Sequence, residues 1–188
     1  MFLINNDFEV IQSYDKLKLV PFGEFLPLEK ILNNFGLKKV TEGYGSFVKG
    51  KNNTLISNEN LNILPLICYE IIFTELIQKS KADSNLIINI SEDAWFGRTI
   101  GPSQHFVKSI FRAIENNTFL LRSANQGVSA IIDNKGNVIK ELNRNEAGNI
   151  ELEVPLINSK KNKNDLIFFI LLITYIFIFN FYKKNNGK

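Results

Sequence analysis

The segment that most constrains the fold is an almost entirely apolar stretch, Leu61–Phe73, with the sequence LNILPLICYEIIF. Polar residues at 58–60 precede it, and an apolar run bounded by polar residues is typical of a buried β-strand. Residues 71–80 then follow helical spacing, which predicts a helix after the strand. Cys68 is therefore predicted to lie at a strand-to-helix turn, where the helix dipole favours a thiolate and the thiol is exposed as a nucleophile.

A packing role for Cys68 is the alternative that the local sequence leaves open. Cysteine often behaves as a small buried hydrophobe, and Leu66 and Ile67 directly precede this one. It is the only cysteine of the chain, so an internal disulfide is excluded. The choice between a packed thiol and a nucleophile therefore depends on the rest of the sequence.

Length and composition predict one sizeable core, alone or with an appendage. The chain has 188 residues, 45% of them hydrophobic and 22% charged, which is ordinary for a globular domain. A net charge of +3 with mostly dispersed lysines predicts no nucleic-acid partner. The apolar run at the start of the chain is too short for a signal peptide.

Hydrophobic patterns along the chain predict strands interleaved with helices, and hence an α/β layered domain. The predicted strands are residues 2–4, 8–14, 61–67, 86–90, 118–122, 128–133, 138–142 and 150–154, the last as an outer strand. The predicted helices are residues 25–35, 71–80 and 102–116, with a long surface loop over 40–60. Because the first hairpin begins at the first residues, we expect a truncated chain that has lost preceding strands.

The composition changes near the carboxyl terminus. Residues 166–182, LIFFILLITYIFIFNFY, contain no charged residue and have three lysines on each side within residues 160–188. A run of this length can cross a bilayer, with aromatic residues at the interface and flanking lysines that reach the headgroups. A buried core helix is the alternative, but a helix that is apolar on every side has little to pack against in so small a domain. The pattern therefore predicts a transmembrane helix.

Three polar segments carry side chains suited to covalent catalysis: 16–24, 68–70, and 89–104 with 122–127 behind it. A cysteine nucleophile needs a base, a cation or donor for the developing oxyanion, and a carboxylate that orients the proton. Lys16 is a candidate for the cation. Taken singly, each residue also has an ordinary interpretation, such as a solvated lysine, a loop carboxylate at Glu24 or an acidic residue at a helix start at Glu70.

Five motifs taken together resemble the nitrilase-like domain of the apolipoprotein N-acyltransferase family, within the carbon-nitrogen hydrolase superfamily. In chain order they are YDKLKLVPFGEFLP, PLICYEIIF, NISEDAWFGRTIGPSQHF, FRAIE and RSANQGVSAIID. The resemblance extends from about residue 7 to residue 133. It implies an α-β-β-α sandwich, of which this chain is the carboxyl-terminal part. The implied organisation is a catalytic domain over 1–158, a basic linker over 159–165, a transmembrane helix over 166–182 and a basic tail over 183–188.

The resemblance also assigns roles to residues. Cys68 matches the nucleophile and Lys16 the lysine of a Cys-Glu-Lys triad, while the supporting residues of the family correspond to Glu24, Tyr69 and Glu70. Trp95 and Phe96 are expected to line the substrate region. The triad glutamate lies in the family tens of residues before the lysine, and residues 1–15 offer no match for it. We therefore expect this chain by itself to be inactive.

The implied function is transfer of a fatty acyl chain, through a thioester on Cys68, from a membrane phospholipid to the amino terminus of a diacylglyceryl apolipoprotein. No cofactor and no metal are implied. The implied location is the bacterial inner membrane, with several membrane spans in the whole protein and the catalytic domain on its periplasmic face. Two alternatives stay open: a nitrilase-type amidase or carbon-nitrogen hydrolase, and a non-catalytic membrane-anchored domain in which Cys68 is packed.

Overall fold

The computed structural model describes residues 1–28, 31, 34, 36, 47–51, 55–80, 84–158 and 165–186. The strands are β1 (Phe2–Ile4), β2 (Val10–Ser13), β3 (Ile56–Asn58), β4 (Leu61–Ile67), β5 (Leu86–Glu92), β6 (Phe119–Asn125), β7 (Ser129–Ile132) and β8 (Val138–Leu142). The α-helices are α1 (Thr74–Ser80), α2 (Gly101–Asn116) and α3 (Asp165–Asn186), and two 3-10 helices cover Cys68–Ile72 and Asp93–Phe96. Parts of the predicted helix over 25–35 and of the predicted loop over 40–60 lie outside the described residues, and the described residues 25–28 are not helical.

The main sheet has six strands in the order β3-β4-β5-β6-β7-β8, and the pair β1-β2 forms a separate antiparallel sheet. β4, β5 and β6 are parallel, whereas the outer neighbours pair antiparallel. The carboxyl ends of the three parallel strands therefore meet at one edge, which the segments after Ile67, Glu92 and Asn125 share. The predicted α/β class is confirmed, and its sheet contains both parallel and antiparallel strands.

Helices cover one face of the main sheet. Alternate residues of the central strands, among them Leu64, Leu66, Ile87 and Leu120, are fully buried on this face. They pack with α1 and with α2, whose Ala113 is also fully buried. Burial of an aliphatic side chain contributes about 2 kcal/mol, so this face is the principal core.

The small sheet β1-β2 packs on the opposite face. Leu3 and the buried Tyr14 contact a second apolar cluster that includes Ile63 and Leu86 of the main sheet. The described residues thus form a helix layer, the main sheet and part of a second β layer. This is the order of layers that the resemblance implies for this part of the sandwich.

The outer strand predicted over 150–154 is wrong. These residues are not paired in a sheet; the segment lies against the sheet face opposite the helices, where Val154 packs on the second cluster. Lys140 Nζ donates to the carbonyl of Glu151 at 2.7 Å. Alternating apolar and acidic residues distinguish a covered side from an exposed side, but they do not distinguish a hydrogen-bonded strand from an extended segment crossing a sheet.

α3 forms a 22-residue helix at the position of the carboxyl-terminal apolar run. Side chains from Ile167 to Tyr182 are exposed along its length. Among the described residues, none of the helices combines the length and the apolar character that crossing a membrane requires. The transmembrane assignment of residues 166–182 is therefore not confirmed.

Candidate active site

Cys68 lies directly after β4, in the first position of the 3-10 helix Cys68–Ile72. Its φ of 53° lies in the left-handed region, which costs a non-glycine residue about 1–2 kcal/mol. The predicted turn after the strand is therefore present, but it is tighter than expected, since the regular helix starts only at Thr74. The thiol is free and partly exposed. Backbone strain of this kind is often found at functional sites.

The cysteine opens into a cavity of about 410 Å³ at the carboxyl edge of the parallel strands. Glu24 and Trp95, both predicted site residues, line this cavity with Cys68. Glu92 and Asn125, at the ends of β5 and β6, complete its polar wall and are joined by a hydrogen bond of 2.7 Å. A larger cavity of about 780 Å³ lies between β6, β7 and residues 148–153, and its wall does not include the cysteine.

Lys16 reaches the wall of the Cys68 cavity through Glu24. Its Nζ lies 2.6 Å from Glu24 Oε1, and the two side chains are only 10% and 18% exposed. The other carboxylate oxygen of Glu24 accepts a hydrogen bond from the backbone N–H of Val20 at 2.9 Å. This shielding from solvent makes the pair stronger than a surface salt bridge, and it places a fixed cation behind the cavity carboxylate.

Glu70 is fully buried and does not line the Cys68 cavity. Its carboxylate accepts hydrogen bonds from the Tyr14 hydroxyl and from the backbone N–H groups of Leu17, Lys18 and Ile67, at distances of 2.6–3.0 Å. Burial and the Glu70 charge hold the pKa of Tyr14 well above its usual range. Glu70 therefore fastens the Lys16 segment to the turn that carries the cysteine.

Tyr69 and Phe96 lie on the other side of the turn. They line a separate groove of about 320 Å³ with Gln104, His105 and Lys108 of α2. Their rings flank the His105 ring at centroid distances of 6.1 and 5.4 Å. Of the aromatic pair predicted in the substrate region, only Trp95 borders the cysteine cavity.

A buried polar network behind the cysteine was not predicted from the sequence. Arg122 Nη2 donates to Asp93 Oδ2 at 2.7 Å, and its Nη1 contacts Asn89 Oδ1. His105 Nδ1 lies 2.9 Å from Asp93 Oδ1 and donates to it, because an ionised carboxylate only accepts. Burial alone raises the pKa of Asp93, but the His105 hydrogen bond and the Arg122 charge outweigh burial and hold that pKa at about 2.

One sequence signal could have revealed this network. Buried polar residues recur at intervals of four, three and four along α2; they are His105, Ser109, Arg112 and Asn116. This spacing places polar side chains on one side of a helix. The apolar residues Phe106 and Ile110, one position further on, defined the predicted core face and obscured the polar stripe beside it.

The arrangement is suited to nucleophilic chemistry at an electrophilic carbon. A partly exposed thiol and the carboxylate of Glu24 line one cavity, and the ammonium group of Lys16 is paired with that carboxylate. Within the ranges described by the structure, no group of three or more His, Cys, Asp and Glu side chains is placed to hold a metal ion.

The fold and the sequence together define the class of protein. Residues 1–161 match the carbon-nitrogen hydrolase family model, and the chain belongs to this family. A solved structure of Saccharomyces cerevisiae Nit3, a member of branch 10 of the nitrilase superfamily, superposes with a TM-score of 0.55. The match covers 76% of this chain and 48% of that one at 19% identity, and it shows the shared fold.

Curated relatives carry the name apolipoprotein N-acyltransferase. The relative from Rhizobium leguminosarum bv. trifolii is 42% identical over 155 residues, which are 82% of this chain and 29% of that protein. The relative from Rickettsia typhi is 40% identical over 186 residues, which cover 94% of this chain and 37% of that protein. The chain thus spans about a third of the length of the curated relatives that it matches.

Proposed function

We propose that this chain carries the nucleophile of an apolipoprotein N-acyltransferase, with Cys68 as the acyl carrier. The observation that carries the proposal is the cavity that Cys68 shares with Glu24, the partner of Lys16. The name of relatives at about 40% identity supports this chemistry over others of the family. An acyltransferase of this kind takes its acyl group from a phospholipid and delivers it to a diacylglyceryl apolipoprotein.

In the first half-reaction, the Cys68 thiolate attacks the carbonyl carbon of a phospholipid ester. A bond forms between Sγ and the acyl carbon, the ester C–O bond breaks, and the proton that the general base removed from the thiol passes to the leaving oxygen of the lysophospholipid. Lys16, held by Glu24, stabilises negative charge on the carbonyl oxygen together with backbone N–H groups of the turn. The product is a thioester on Cys68.

In the second half-reaction, the α-amino group of the diacylglyceryl cysteine attacks the thioester. The amine must be neutral to attack. As the amide bond forms, its proton passes to the general base and the Cys68 thiolate leaves. The cavity must also exclude water long enough to protect the thioester from hydrolysis. Trp95, which is half exposed on the wall of the cavity, is placed to form part of that apolar cover.

Two further proposals concern the protein around this chain. The general base of the reaction lies in sequence that the curated relatives have outside the matched region, and this chain by itself is inactive. The helix α3 contacts lipid at the inner membrane, with the domain over 1–158 on the periplasmic face, a basic linker over 159–165 and a basic tail over 183–188. Support for the lipid contact comes from the exposed apolar side chains of α3.

The test is acyl transfer by a chimeric enzyme, in which this chain replaces the matching region of the Rickettsia typhi relative. We expect transfer of a labelled acyl chain from phospholipid vesicles to a diacylglyceryl-cysteine peptide, detected by mass spectrometry of the peptide. Cys68→Ala should abolish the transfer, while Ser57→Ala, an exposed change on β3, should retain it. Hydrolysis of simple amides without acyl transfer would instead favour an amidase, and the absence of both activities would favour a non-catalytic domain.

A further inference from the structure

The cysteine turn is linked to the buried network through a row of paired residues. Leu66 of β4 pairs with Asn89 of β5, and Asn89 pairs with Arg122 of β6. Side chains in one row of a parallel sheet lie on the same face, so Asn89 and Arg122 meet beneath the helices. Asn89 Nδ2 donates to the carbonyl of Leu66 at 3.0 Å and to that of Cys68 at 3.5 Å.

These hydrogen bonds act on a strained residue. Cys68 adopts a φ of 53°, and such a conformation persists only where the surroundings hold it. Asn89 holds the carbonyls of residues 66 and 68, and Glu70 accepts from the N–H of Ile67 between them. Loss of the Asn89 contacts would therefore remove part of what holds Cys68 in this conformation.

Arg122 fixes Asn89 and, at the same time, the opposite wall of the cavity. One nitrogen of its guanidinium contacts Asn89 Oδ1 and another donates to Asp93 Oδ2. Asp93 starts the 3-10 helix that carries Trp95 into the cavity wall. The planar fork of arginine binds both acceptors at once, which the single ammonium of a lysine does not reproduce.

We propose that Arg122 is a positioning residue that holds the Cys68 turn and the Trp95 segment in one fixed relation. This proposal rests on the proposed function only in that it takes the Cys68 thiol as the reactive group. Burial lowers the pKa of Arg122 from its ordinary value, and the charges of Asp93 and Cys68 oppose that decrease. Arg122 does not touch the reacting atoms, and its effect is exerted through Asn89 and Asp93.

The experiment is alkylation of the single cysteine of the full chain by iodoacetamide, with and without urea. The rate in urea gives the reactivity of the unfolded thiol. The rate without urea divided by the rate in urea therefore reports the position of Cys68 in the fold. We expect Arg122→Lys to lower this ratio by about tenfold, because the Cys68 turn loses part of what holds it. Asn89→Asp should have the same effect, since it keeps an acceptor for Arg122 but removes the donor to Leu66 and Cys68.

Arg112→Lys is the matched control. Arg112 is as buried as Arg122, and it binds the carbonyls of Ile71 and Ile72 at the far end of the same turn. Its substitution should change the ratio by less than about twofold, although it lowers the free energy of unfolding. Equal effects of the two lysine substitutions would overturn the proposal, and so would unchanged alkylation in Asn89→Asp. The assay needs no phospholipid, so it can fail or succeed independently of the proposed acyl transfer.

Discussion

Glu70 shows how a charged residue beside the candidate nucleophile Cys68 can serve the structure of the site. Its side chain is fully buried, and four donors from two parts of the chain converge on its two oxygens. A carboxylate with this many donors is well compensated for the loss of water. The sequence suggested an acidic residue favoured by a helix dipole, whereas the structure assigns it the junction between the Lys16 segment and the cysteine turn.

Substitution of Glu70 by glutamine should therefore be severe. The amide presents N–H groups to at least one of the four donors and removes the negative charge, so buried donors are left without an acceptor. We expect the free energy of unfolding to fall by about 3 kcal/mol, measured by urea denaturation.

Glu75→Gln provides the control for that change. Glu75 pairs with Lys18 at 3.1 Å, and its side chain is 51% exposed. Loss of a solvent-exposed ion pair should alter the free energy of unfolding by less than about 0.5 kcal/mol. Similar losses for the two variants would mean that the buried hydrogen bonds of Glu70 contribute little.

At the scale of elements, β4 and α2 were predictable because each has a long, unambiguous pattern. The apolar run of β4 ends at Ile67 as predicted, and α2 begins at Gly101, one residue before its predicted start. The prediction of a strand over 150–154 was wrong because the alternating pattern there arises from packing across a sheet. The buried polar stripe of α2 was missed because the apolar stripe beside it defined the predicted core face, and because Arg122, a partner of His105, lies on the strand after the helix.

The turn between β6 and β7 allows a test of how these elements fit together. Gly127 lies in this turn, and a Cβ added to it would overlap the carboxylate of Asp93. Gly127→Ala should therefore displace Asp93 from Arg122 and lower the free energy of unfolding by about 2 kcal/mol. Urea denaturation measures the loss, and alkylation of Cys68 should become slower as well.

Gly148→Ala is the comparison for this prediction. A Cβ at residue 148 would lie 3.2 Å from the flexible end of the Leu142 side chain, which can move. The expected change in unfolding free energy is below about 1 kcal/mol. If Gly127→Ala were as well tolerated as Gly148→Ala, the contact between the β6–β7 turn and Asp93 would not be important to the site.

For the molecule as a whole, the candidate site combines segments that are far apart in the sequence. The local pattern made Cys68 a candidate and the needs of a thiolate added Lys16, whereas the resemblance assigned roles to both and to Glu24 and Trp95. The structure places Cys68, Glu24 and Trp95 around one cavity and pairs Glu24 with Lys16. Register between β4, β5 and β6 creates the support for the cysteine, and pairing of this kind cannot be derived from any single segment.

The central claim is that Cys68 carries the acyl group. The most direct measurement is mass spectrometry of the Cys68 peptide from the chimeric enzyme, after incubation with phospholipid and without an acceptor. We predict a fatty acyl mass on Cys68 that neutral hydroxylamine removes, as expected of a thioester, and that disappears when the acceptor peptide is added. An unmodified Cys68 under conditions in which acyl transfer proceeds would contradict the account.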